Sequence, residues 1–221
     1  MYIYKFSNFV EKVDGELSDK KALLTKKFNR SDNFINLTLV GVQRCVEDTK
    51  LPSNTSIYLA SDNGNMNTTI KVLDSIFIKN RLPMPFNFLN TVNSVKLFYI
   101  AKNFNIDGKT IFVDSFESAI IQAFVDIKQG KNVLLGVVTE AIDDLELHRE
   151  MFGDKEIIES SRWLLLSPKP DGAIAKIEEF QLSNSTTSKT KTSKLFSFLE
   201  SNKNSFSFKR DRLSFSVKKM L

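Results

Sequence analysis

Apolar positions along this chain follow a period of two in some stretches and of three to four in others, and the two kinds take turns. Tyr2–Val10 sets aromatic or aliphatic residues against polar ones over part of its run, the pattern of an edge or half-buried strand. Gly15–Lys27 is polar and basic and predicts a loop or a short helix. Asp32 to Glu47 carries Phe34, Ile35, Leu37, Leu39, Val40, Val42 and Val46, a mostly apolar helix with Ser31 or Asp32 placed to cap it. Leu51–Asn54 is a turn, Thr55–Ala60 a short buried strand, and Ser61–Asn65 a Gly-containing turn into a helix from about Met66 to Lys79. Arg81–Phe88 holds two prolines and two phenylalanines and predicts an extended loop with apolar anchors. A helix follows over Asn90–Asn103, a strand over Lys109–Val113 and a helix from Asp114 to Lys128, with Gly130 just past its end. Val133–Val138 is almost wholly apolar, as a strand covered on both faces is. Glu140–Glu159 is acidic and reads as a surface excursion, with His148 expected in an exposed loop. Ser161–Ser167 and Ile174–Leu182 predict two more strands around a Pro/Gly turn. Strands alternating with helices argue for a layered α/β domain over 1–182 with a mixed sheet.

The last stretch, 183–221, changes character. Ser183–Ser193 has the composition of a flexible linker, Lys194–Leu199 that of a short amphipathic helix, and Phe206–Val217 alternates as a small hairpin does. This tail holds nine basic residues against two acidic ones, a net of +7, so 1–182 carries −2 of the chain's +5. The basicity belongs to the appendage, and no nucleic-acid partner is read from it. Its cations and phenylalanines suit an acidic protein, an anionic membrane surface or docking on the domain itself. A single Cys excludes an internal disulfide and a cysteine-rich zinc site; no metal site or cofactor is expected. Cys45 reads as a small apolar packing residue. The N-terminus has no basic start followed by an apolar run, and no apolar segment nears the roughly 20 residues of a membrane-spanning helix, so the cytoplasm is the expected location.

Four segments carry a family resemblance: YLASDNGNM (58–66), PMPFNFLNTVN (83–93), VDSFESAIIQA (113–123) and GKNVLLGVVTE (130–140). In order and spacing they resemble the N-terminal half of β-ketoacyl synthases, and most of all the short ketosynthase-like proteins of polyene and aryl-polyene pathways. The resemblance implies a thiolase-like half-fold with a mixed, mostly parallel sheet flanked by helices. Catalytic members keep a cysteine where the helix after the third strand opens, and a thiolate gains there from the helix N-terminus. Aligned that way, Glu117 stands at the nucleophile position, or Phe116 or Ser118 after a one-residue slip. The family's His pair, or His and Asn, comes from a C-terminal half with no counterpart here. The resemblance therefore implies a non-catalytic subunit, similar to a chain-length factor, that pairs with a full-length ketosynthase and works with acyl carrier protein. It places Phe86, Phe88, Leu89, Asn93, Phe98 and Phe116 near the interface or acyl tunnel, although Phe98 reads more simply as core. Two rivals remain: a malonyl or acyl carrier-protein decarboxylase or hydrolase using Glu117, and a peripheral membrane protein acting through the tail. For Glu117 the simpler role is structural, an Asp114/Glu117 capping box at the helix start.

Overall fold

The computed structural model describes residues 1–47, 49–153, 156–183 and 190–220. Among these, eight strands form one sheet: β1 (Tyr2–Lys12), β2 (Ser56–Ala60), β3 (Thr110–Val113), β4 (Val133–Thr139), β5 (Ile158–Ser167), β6 (Ala175–Leu182), β7 (Ser205–Arg210) and β8 (Leu213–Lys219). Their order is β3-β2-β4-β5-β1-β6-β8-β7. The sheet is mixed, as expected, but parallel pairing is confined to β3-β2-β4, and every other neighbour pair is antiparallel. Parallel neighbours need a crossover, and the helical segments between β2, β3 and β4 provide it. The expectation of a mostly parallel sheet is corrected accordingly.

The strands' two faces are buried under different elements. One face lies under α1 (Asn33–Val46) and α4 (Val95–Phe104), with Leu37, Val40 and Ile100 against Ile57, Leu59, Leu134 and Trp163. Asp32 caps α1 through a 2.9 Å acceptance from Ile35 N–H. Gly41 lets this helix approach closely: a Cβ there would collide with Ser161 and sit 2.6 Å from Trp163. The backbone of Gly41 also accepts the Ser7 hydroxyl at 2.7 Å. The opposite face lies under α5 (Phe116–Lys128) and α7 (Thr192–Glu200), with the β7–β8 hairpin extending the sheet beside them.

The tail thus joins the sheet. Phe208, Phe215 and Val217 point into the core, and β8 pairs with β6. The helix and hairpin read from 194–217 are present, and most of the proposed linker Ser183–Ser193 lies outside the described residues.

Three further expectations change. Pro85–Thr91 is helical (α3), because Pro85 occupies the first helical position, where its missing N–H costs nothing. The helix α2 (Met66–Leu73) continues as a π-helical turn through Ile78 (Asp74–Ile78), while α4 starts only at Val95. The acidic excursion contains α6 (Leu145–Phe152), capped by Asp144, and buries His148, whose Nδ1 accepts Ile142 N–H at 3.1 Å. His148 was expected in an exposed loop; it is instead the acceptor for a buried backbone donor.

Candidate functional site: the buried start of a helix and an exposed apolar surface

The start of α5 is built by serines. Ser115 is the N-cap and accepts Ser118 N–H at 3.2 Å, and the Ser118 hydroxyl donates to Asp114 at 3.2 Å. The expected Asp114/Glu117 capping box is therefore absent, since the cap lies one residue later than that box requires. Glu117 occupies the second helical position and is buried. Arg210 Nε, from β7, lies 3.0 Å from its Oε1, an ion pair too poorly aligned for a hydrogen bond. Burial raises the Glu117 pKa, while the Arg210 charge pulls it back. Phe116 is core: it is 2% exposed and meets Phe208 edge-on with centroids 5.5 Å apart, so it lies on no open surface. Cys45 is fully buried in α1, and burial pushes its thiol up to about 12, where no thiolate forms at neutral pH. Clefts of about 370 and 410 Å³ lie elsewhere, beside Asn54 and Asn132 at the strands' opposite ends and beside Phe124 and Glu178.

The second feature is a run of exposed apolar side chains from the end of α2 through α4. Phe77 is 78% exposed and Leu82 97%, and Ile78, Met84, Phe88 and Leu89 are exposed with them. Phe86 is partly covered by the Arg30 guanidinium, 3.8 Å from its ring centroid. Phe98 is 59% exposed, which sets aside the simpler core reading, and it touches Tyr99 edge-on. Asn93 turns inward instead and accepts Asn65 N–H at 3.2 Å beside the left-handed Gly64. Isolated apolar residues on a surface are ordinary, but a continuous apolar run marks a contact site.

The sheet ends at an open edge, β3, which α4 packs against. Ile57 N–H donates to Lys109 O at 2.7 Å and Ser61 N–H to Val113 O at 3.3 Å, so alternate backbone groups of β3 face β2. Those of Thr110 and Phe112 face outward, and no described strand meets them. An unpaired edge of this kind is a template for a partner strand. Two residues that shape the site escaped the sequence reading. Arg210 reaches α5 from a distant strand, and Lys96 is buried among the loops behind α3. Only the four-residue spacing of Lys96 from Val92 hinted at its role.

No family model matches the chain, and no curated protein sequence does either. Solved structures do match. A chain of "Ketosynthase (ApeO) in Complex with its Chain Length Factor (ApeC) from Xenorhabdus doucetiae" is 15% identical, with a TM-score of 0.66 over 99% of both chains. A chain of "The ishigamide ketosynthase/chain length factor" is 12% identical, with a TM-score of 0.67 over 85% of this chain and 68% of that one. The chain has a ketosynthase-type fold. A chain of "AntDE:AntF (apo): type II PKS acyl-carrier protein in complex with its ketosynthase bound to the hexaketide" is 10% identical, with a TM-score of 0.56 over 84% of this chain and 65% of that one.

Proposed function

We propose that this chain is a non-catalytic ketosynthase-like subunit that pairs with a full-length β-ketoacyl synthase and, like a chain-length factor, helps shape the tunnel holding the growing acyl chain. The observation that carries this is the apolar surface of 73–98, together with the open edge of β3, which nothing in the described chain covers. Two of the matched structures are titled as ketosynthase/chain-length-factor pairs, and one matched chain has the length of this one. The start of α5 supports the non-catalytic part, since Glu117 is buried against Arg210 of the hairpin. The same burial weighs against Glu117 as a decarboxylase or hydrolase group. The membrane reading loses its apolar anchors, because Phe208, Phe215 and Val217 are spent in the core. No helix among the described residues is long and apolar enough to cross a membrane. The acyl carrier protein serving the pair is the third partner in this reading.

The test is co-expression with a full-length ketosynthase from the same genome. A stable 1:1 complex whose product lengths change when this chain is replaced supports the proposal. Its failure is an isolated chain that elongates acyl groups alone, or one that binds no ketosynthase.

A further inference from the structure

A buried lysine meets the end of α3. Lys96, the second residue of α4, is fully buried, yet its ammonium touches carbonyls rather than carboxylates. Its Nζ donates to Asn90 O at 2.6 Å and to Val92 O at 3.2 Å. These carbonyls close the C-terminal end of α3, where a helix leaves acceptors unpaired and favours a positive charge. Asn65 Nδ2 donates to the same Asn90 oxygen at 2.8 Å and to Asp32 Oδ2 at 2.6 Å. From the other side Asn90 Nδ2 donates to Arg30 O at 3.0 Å. The C-terminus of α3 is therefore tied to α4, to the start of α2 and to the segment preceding α1. Its N-terminus has no side-chain cap, and seven residues are too few to hold a helix by themselves.

We propose that Lys96 is a positioning residue for partner binding: with Asn65 and Asn90 it holds α3 rigid, so that Phe88 and Leu89 meet the ketosynthase as a preformed ridge. This rests on the reading of the apolar surface as the subunit interface. A rigid segment avoids the ordering cost that a loose one incurs on association. A role in overall stability alone predicts something different. Lys96→Met fills similar space, Asn90 O keeps its bond from Asn65, and Val92 O keeps the one from Val95 N–H at 3.1 Å. That substitution leaves no acceptor orphaned and removes a buried charge, so global stability holds or rises.

The experiment is amide hydrogen exchange across the whole chain, paired with affinity for the ketosynthase that co-purifies with the wild type. In the wild type the α3 amides exchange at least roughly tenfold more slowly than an unstructured peptide. In Lys96→Met they exchange at least roughly tenfold faster than wild type while those of α1 and α5 stay unchanged, and the Kd rises by a similar factor. An unchanged Kd, or exchange that rises across all helices alike, overturns the inference. Should the variant not fold, wild-type α3 exchanging as fast as a free peptide overturns it as well. Phe88→Asp separates the two levels. If it leaves the complex intact, the interface reading fails and takes this inference with it. If it breaks the complex and Lys96→Met does not, only the positioning role falls.

Discussion

Phe77→Ala tests the interface most directly, because the side chain does almost nothing in the isolated subunit. Phe77 is 78% exposed, at the π-helical turn that follows α2. Fully burying a phenylalanine contributes about 1.5–3 kcal/mol. If a partner covers most of the exposed ring, truncation costs association about 2 kcal/mol, or roughly 30-fold in Kd. An exposed substitution of this kind moves the stability of the free chain by less than about 0.5 kcal/mol. The signature is a weakened complex with an unchanged melting temperature. Titration calorimetry against the co-purified ketosynthase measures the first, and thermal unfolding of the lone subunit the second. Val125→Ala is the control: Val125 is also half exposed, but it lies on α5, away from the apolar run. A Kd within about twofold of wild type for Phe77→Ala, or an equal loss for Val125→Ala, refutes the assignment of this surface.

Three other outcomes are expected. Glu117→Cys restores no acyl transfer, because Phe208 and Arg210 cover the start of α5; a mass shift from an acylated thiol after incubation with acyl-loaded carrier protein refutes this. Gly136→Ala destabilises by about 3 kcal/mol in urea unfolding, since its Cβ would collide with the fully buried Trp163 indole. Stability also passes through a minimum near pH 8. Burial, then Asp32 and Glu159, push Glu140 from 4.5 up to about 8, so the folded chain keeps a proton that the unfolded chain loses, and stability falls across that window. Burial pushes Lys96 from 10.5 down to about 8 against the pull of Asp32 and Glu140, so stability recovers above pH 8 as the unfolded chain goes on holding its proton. Urea midpoints that rise steadily from about pH 5 to 8, or a falling limb that survives in Glu140→Gln, refute this assignment.

What the sequence displayed and what it hid divide along local and non-local lines. The strand VLLGVV was legible because helices cover both its faces, so no polar position interrupts it. The N-cap Asp32 was legible because a cap acts within one turn. The hairpin in the tail showed itself by alternation, but its pairing with β6 depends on a long-range register that no local pattern encodes. Pro83 and Pro85 suggested an extended loop, and only the position of Pro85 at the helix start reverses that reading. His148 and Lys96 were hidden for the same reason. Each serves a backbone group only four to six residues away, but burial by the surrounding fold, which no local pattern shows, is what makes that bond matter. At the candidate site, the missing thiol was readable, while the Arg210 that meets Glu117 was not.

The two apolar faces of this chain are treated differently, and that difference bears on function more than either face alone. Over α5, covering is supplied from within: α7 and the hairpin bring Leu195, Phe196, Phe208 and Phe215 to bury the sheet, and Arg210 meets the Glu117 carboxylate. Over α2 to α4, the described chain supplies no cover, although the same tail carries phenylalanines that suit the task. Leaving Phe77, Leu82 and Phe88 in water invites aggregation unless a second molecule occupies the surface. Such a surface gains from being held in one shape, and the polar ties behind α3 have that effect. Chemistry at the start of α5 would need that helix start open to substrate; Glu117 there is buried beside Arg210, and the surface left open is the one the proposal gives to the partner.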